Sequence, residues 1–384
     1  MSRPTASRQA SIDVLRAVAI GLMVVVHFVE NLSGWYDGGS GPFEGVHRVW
    51  WLPTGFAAPL FTVLSGMSYR LWLGVQMRRG ESAETISKRT VRRGLFLIGL
   101  GFAFNVFVWL PEDVFNWDIL TLIGLGLLVL DVARRMPDWV VVLAAALVLA
   151  VSPALRVVAD YPAFWQAGYF DYDFTLVDVL LGWLAVGYFP VFPWLAFPLL
   201  GHALAAWLFG EEVDEQVDVR GESRSGRVAA SGIAGIATAF ALTVSWPALP
   251  AAITGEAALG WTMFPASTAY CLGTLGTVTL AAAALHRVLD GGGQRWGWLL
   301  AWATPLSRHA LSMYLLHHVV HVWPLWAWGV VTSGETTALW QVVMPPAASF
   351  ALAAGFLVAA AWLFRWLDQR RMPSAESLMR WVCD

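Results

Sequence analysis

The chain has almost no cysteine: Cys271 and Cys383 are the two among 384 residues. Two thiols, one within an apolar run and one near the chain end, exclude a disulfide framework and a four-cysteine zinc centre. Charge is nearly as scarce. Acidic and basic side chains make up 13% of the residues, against about 25% in soluble domains. The sequence also lacks GxSxG, a P-loop and HExxH, which removes soluble-type serine hydrolases, nucleotide hydrolases and zincins. What fills the chain instead is hydrocarbon: 58% of residues are hydrophobic and mean hydropathy is +0.60. Such a composition reads as an all-α, polytopic integral membrane protein. The net charge of −3 says little about partners, and nothing in the pattern calls for nucleic acid.

Apolar runs near 20 residues, punctuated by charge, glycine or proline, place ten spans at 11–32, 52–76, 94–110, 118–133, 138–154, 189–209, 228–247, 263–285, 305–330 and 339–366. Residues 174–188 read as an interfacial half-helix before Pro190 and Pro193, because counting them as a span would invert every later segment. The basic residues favour this choice. With both termini cytoplasmic, twenty Lys and Arg fall inside and two, Arg48 and Arg156, outside. No cleavable signal peptide is evident, and the hydrophilic stretches are too short for a soluble domain. Residues 1–384 therefore read as one transmembrane domain in the cytoplasmic (inner) membrane.

Arg16 and His27 stand eleven residues apart in the first span. At ~100° per residue they share one face, separated by ~16 Å along the axis. Asp13, Ile20, Val24 and Asn31 fall on or near the same stripe. Ionisable groups within a span are functional by default, so the helices are expected to surround an intramembrane cavity that this stripe lines. Arg16 suits a phosphate or carboxylate, or forms a structural pair with Asp13. His27 can exchange a proton near neutral pH, or is a histidine satisfied by a neighbouring carbonyl.

Three further places carry candidate chemistry. Lys88, Arg89, Arg92 and Arg93, with Arg78 and Arg79, form the densest cationic cluster; it is either topology signal or a dock for a donor with several phosphates. The outer loop 33–51 is rich in Trp and Tyr and holds His47, which could deprotonate an acceptor. Late in the chain, His317 and His321 share a face with Tyr314 one turn earlier. With no acidic residue beside them, no metal is expected there, and His317 is expected to line the cavity. Asp118, opening the fourth span, reads as a helix N-cap before a catalyst.

These features occur in the order seen in the multispanning membrane acyltransferases, which the chain resembles along nearly its whole length. Asp13-Val14-Leu15-Arg16-Ala17 followed by His27 resembles the opening Asp-x-Leu-Arg-Gly and Arg-x10-His motifs, with Ala17 for the usual Gly. Pro59 to Ser65-Gly66 resembles the second-span motif, Lys88 to Arg93 the Arg-rich entry to the third span, and Trp117-Asp118-Ile119-Leu120 to Gly124 the fourth. Phe192-Pro193-Trp194-Leu195 with Gly201 is similar to a mid-chain signature, and Ala310 to His317 to the late Tyr-x-x-His span. Two branches compete. The heparan-α-glucosaminide N-acetyltransferase-like branch implies a catalytic His in the first outer loop, two positions from His47. The polysaccharide O-acyltransferase branch implies His27.

Either branch implies transfer of an acetyl group from cytosolic acetyl-CoA to an amine or hydroxyl of a glycan or amino-sugar acceptor on the outer side. The thioester phosphates would dock on the inner basic residues, and Asn31, Ser65 or His317 would stabilise the oxyanion. Acetyl-CoA enters as co-substrate, membrane lipid is the other partner, and a homodimer is compatible with this reading. The rival class is a proton-coupled transporter or lipid or glycoconjugate flippase using Arg16, His27 and His317 as a proton path.

Overall fold

A computed structural model describes residues 9–33, 55–111, 114–166, 175–210, 218–245, 260–290 and 293–384. Its described secondary structure is helical, apart from one bridge between Met263 and Ala266. The main helices are α1 (Ala10–Ser33), α2 (Ala57–Arg78), α3 (Ala83–Val108), α4 (Ile119–Ala133), α5 (Asp138–Val158) and α6 (Ala196–Phe209). They continue as α7 (Asp218–Ser245), α8 (Thr268–Leu285), α9 (Gly297–Arg308), α10 (Ala310–Ser333), α11 (Pro346–Arg370) and α12 (Ala375–Cys383).

Among the described residues, seven segments are long and apolar enough to cross a membrane: Ala10–Ser33, Ala83–Val108, Asp138–Val158, Leu176–Phe209, Arg224–Val244, Thr268–Asp290 and Pro346–Arg370. Of the remaining three expected spans, 52–76 and 118–133 fall on α2 and α4, and 305–330 overlaps the end of α9 and most of α10. Residues 175–195 are broken rather than continuous: a short helix Leu176–Leu181, a π-turn Gly182–Val186 and a further turn Val191–Trp194 around Pro193.

Several boundaries differ from the sequence expectation for local reasons. The third helix starts at Ala83, where the Ser82 hydroxyl accepts from Thr85 N (3.1 Å), so Lys88 to Arg93 are helical and not a loop. The stretch 305–330 is not one span, because the backbone breaks at His309 between α9 and α10. That break leaves the first amides of α10 without intrahelical partners. Glu376 of α12 answers them, accepting from Leu311 N (2.7 Å), Ser312 N (2.9 Å) and Ser312 Oγ (2.7 Å). The amphipathic α12 is thus a cap on α10. Before α11, Gln341 N and Val343 N donate to Asn31 O (2.8 Å) and Leu32 O (3.0 Å), closing the carbonyl end of α1.

α1 is the central element, packing on α2, α9, α10 and α11. Its buried face (Leu15, Ala19, Ile20, Met23, Val24, Phe28) forms the heart of the core, while Val18 on the opposite side is exposed. The α2–α6 contact is closer still. A Cβ on Gly66 would stand 1.9 Å from Pro198 O, and one on Gly201 would stand 2.1 Å from Val63 O. The two glycines let the backbones touch, as small residues do in helix pairs within membranes. Gly66→Ala should therefore destabilise the protein by about 1–3 kcal/mol through overpacking. Thermal unfolding in detergent reads this as a lowered midpoint; an unchanged midpoint would mean that the seam tolerates a methyl group.

Candidate active site

Two polar nests occupy the inward face of α1, one near each end. At the first, the buried Asp13 accepts from Ser307 Oγ (2.7 Å), and that same oxygen accepts from Arg16 Nη1 (2.7 Å). Arg16 Nη2 donates to Ser68 Oγ (2.5 Å). One serine hydroxyl thus bridges the two charges. Partners from α2 and α9 turn the guanidinium towards protein rather than lipid, as a charge within a span requires.

The second nest is a cluster of imidazoles. His27 Nδ1 lies 2.9 Å from His317 Nε2, and the His27 ring packs on His318 with centroids 4.6 Å apart. His317 Nδ1 is 2.9 Å from Met313 O, and His318 Nδ1 is 3.2 Å from Tyr314 O. A carbonyl only accepts, so each Nδ1 carries the proton and each Nε2 is a lone pair. His27 must then donate from Nδ1 to His317, which leaves its own Nε2 as the acceptor. His321 completes the row: its Nδ1 donates to His317 O (2.5 Å) and its Nε2 accepts from Asn31 Nδ2 (2.8 Å). Asn31 Oδ1 accepts from Trp340 Nε1 (3.1 Å), so both ends of that amide are committed to holding helices together.

The other sequence candidates divide. Asp118 caps α4, accepting from Leu120 N (2.6 Å), and also takes the phenol hydrogen of Tyr314. The capping role stands, and a second role joins it, since the Tyr314 ring lies 5.3 Å from that of His318 and 5.8 Å from that of His317. Ser65 is turned to its own helix, donating to Thr62 O (2.7 Å), and makes no hydrogen bond to either nest among the described residues. In the basic cluster, Lys88 pairs with Glu84 (2.7 Å), Arg89 with Glu81 (3.1 Å), and Arg93 grips Asp384 at 2.6 Å while lying over the Trp72 ring. Arg92 is exposed and makes no ion pair among the described residues. His47 lies outside the described residues, with the rest of the outer loop from Gly34.

The expected open track between the nests is not what the structure holds. Ile20 and Val24, between Arg16 and His27 on the stripe, are fully buried in the apolar core. The stripe is polar at both ends and closed by packed hydrocarbon in its middle. A cleft does lie elsewhere, bounded by Arg156, Tyr161, Tyr188, Phe192 and Phe264. There Arg156 donates to Ala266 O (2.9 Å), and burial holds the Tyr161 phenol protonated far above its usual range, with Arg156 pulling the other way.

His318, Ser307 and Ser68 are the site residues that spacing missed. His318 is 100° round the helix from His317, so a periodicity argument places it off the face that His317 and His321 share. It joins the cluster because the His27 ring packs against both neighbouring rings.

Apolar helices long enough to span, with ionisable side chains turned inward onto one another, define a multi-pass membrane protein with a buried polar centre. Residues 8–241 match the family described as heparan-alpha-glucosaminide N-acetyltransferase, catalytic, and the chain belongs to that family of acetyltransferases. No curated protein matches the chain. The matched stretch takes in Asp13, Arg16, His27, the basic cluster and Asp118, and ends before Ser307, Tyr314 and His317.

The first nest makes a stability prediction. Ser307→Ala removes the hydroxyl between a buried carboxylate and a guanidinium and should cost about 1–3 kcal/mol, whereas Ser307→Thr should retain most of it. Unfolding midpoints in detergent that are equal for wild type and Ser307→Ala would deny the bridge any energetic role.

Proposed function

We propose that the protein transfers an acetyl group from cytosolic acetyl-CoA to an amine or hydroxyl of a sugar-type acceptor presented on the other side of the membrane. In this reading it crosses the membrane ten times with both termini in the cytoplasm. The match to a catalytic acetyltransferase family across α1 to α7 carries the proposal. The asymmetry of the basic residues supports the orientation.

The roles follow from the geometry. Arg92, exposed in the first half of α3, is the first partner for the donor's phosphates. Lys88, Arg89 and Arg93 follow as those phosphates displace Glu84, Glu81 and Asp384. Arg16 stands at the same end of α1 and guides the anionic arm inward. Because Ile20 and Val24 close the middle of the stripe, passage of the thioester requires α1 to part from its neighbours.

At the far nest, His27 Nε2 accepts the acceptor's proton as its nitrogen or oxygen attacks the thioester carbonyl. The new C–N or C–O bond forms, the C–S bond breaks, and the proton returns from His27 to the departing thiolate. The His27 Nδ1–H bond to His317 strengthens as positive charge builds on the ring. His317 is thereby a positioning residue, held in turn by Met313 O. Asn31 and Ser65 are committed elsewhere and leave the oxyanion to other donors. His47 is the second candidate base, from the outer loop.

Release of CoA thiol from acetyl-CoA in the presence of glucosamine, measured on purified protein in nanodiscs, tests the proposal. His27→Ala should lower kcat on the order of 10²–10⁴-fold, and His47→Ala should do so instead if the loop histidine is the base. Full activity in both variants would refute histidine base catalysis. Arg92→Ala should raise KM for acetyl-CoA, most at low ionic strength, where screening is weakest.

A further inference from the structure

The imidazole cluster does more than orient His27. The facing nitrogens of His27, His317 and His318 offer one ligand atom each, and these atoms all lie within 4.8 Å of one another. The Nδ1–H groups of His317 and His318 are each anchored on a backbone carbonyl four residues earlier, at Met313 and Tyr314. That is the outer-shell support that metal-binding histidines commonly carry, fixing the tautomer and aiming the Nε2 lone pair. Among the described residues, His318 Nε2 makes no hydrogen bond with protein, so its lone pair is uncommitted. The three rings come from both helices of the α1–α10 contact, so their convergence is a property of the fold and not of one run of sequence.

We propose that His27, His317 and His318 bind one divalent transition-metal ion of the zinc type, and that the ion and the catalytic proton exclude each other. Three neutral nitrogen ligands with no carboxylate suit zinc, cobalt or copper rather than magnesium or calcium. Bonds of ~2.0–2.1 Å in a tetrahedron set the nitrogens ~3.3 Å apart. His27 and His317, now 2.9 Å apart, need move apart by only a few tenths of an ångström, and the His318 ring turns in. Behind the cluster, Asp118 accepts from the hydroxyl of Tyr314, whose ring packs on His318. His321 stays out of the shell, because its Nε2 is occupied by Asn31. The fourth position is therefore open to water or another small ligand.

The exclusion follows from the tautomers. His27 acts as a base only with its proton on Nδ1, donated to His317, and a lone pair on Nε2. Coordination through Nδ1 needs the opposite tautomer, which puts the proton on Nε2 and removes the base. This second part rests on the acetyl-transfer reading; the binding part does not.

The experiment titrates chelator-stripped, purified wild-type protein in detergent with Zn²⁺ by calorimetry, and with Co²⁺ by visible absorption. Wild type should bind one equivalent, with the intense visible bands of a tetrahedral Co²⁺ complex. His318→Ala and His317→Ala should each weaken binding at least tenfold, and His202→Ala, in a separate buried pocket beside Arg70, should leave it unchanged. Absence of binding in wild type, or equal affinity in His318→Ala, would overturn the site. Stoichiometric Zn²⁺ should also suppress acetyl transfer in wild type, and excess chelator should restore it. Tight binding with undiminished transfer would overturn the exclusion. Binding in samples that never release CoA would strike the proposed function and leave the metal site standing.

Discussion

Burying Arg16 and His27 on a single apolar helix costs several kcal/mol unless neighbouring helices supply partners. The bundle is arranged around that requirement. α1 packs on α2, α9, α10 and α11. Three of them meet its polar groups: Ser68 and Ser307 meet the guanidinium, and His317 meets the imidazole. Between these points the contact is hydrocarbon, with Ile20 and Val24 at zero exposure. The polar contacts fix the rotation of α1 about its axis, because turning it would strand a charge. The apolar contacts supply the bulk of the packing energy. Each does what the other cannot.

The histidine cluster shows how a membrane interior handles several imidazoles with, among the described residues, no carboxylate hydrogen-bonded to them. Carbonyls four residues back fix the protons of His317, His318 and His321, and the remaining lone pairs face α1. His27 and Asn31 answer two of them as donors. Such a row is ordered by tautomer rather than by charge, and reversing one proton changes what its neighbour can do. That property makes the cluster suitable both for passing a proton and for holding a cation.

Much of this was legible from the residues. The stripe on α1 predicted that Arg16 and His27 turn inward, since lipid offers them nothing, and both do. The apolar stretches are largely helical, seven of them long enough to span, because hydrocarbon runs near 20 residues have few other options in a bilayer. The glycines of the quoted motifs, Gly66, Gly124 and Gly201, turn out to be points where backbones touch, a role that a motif alone does not reveal. What stayed hidden depends on tertiary placement. His318 lies off the helical stripe and joins the site through the approach of α1. The break at His309 is stabilised by Glu376, far away in sequence. Asp118 reads as a cap from its local sequence, and its bond to Tyr314 comes from a helix nearly two hundred residues later.

The glycine seams have a mechanical consequence. Where α2 meets α6, and likewise where Gly94 meets Gly124 and Gly232 meets Gly276, backbone presses on backbone with no side chain between. Surfaces mated this closely cannot shear without lifting apart. The contacts of α1 with α9 and α10 instead include hydrogen bonds that can break and re-form one at a time. If the proposed transfer needs a gap between helices, these hydrogen-bonded contacts would yield before the glycine seams do.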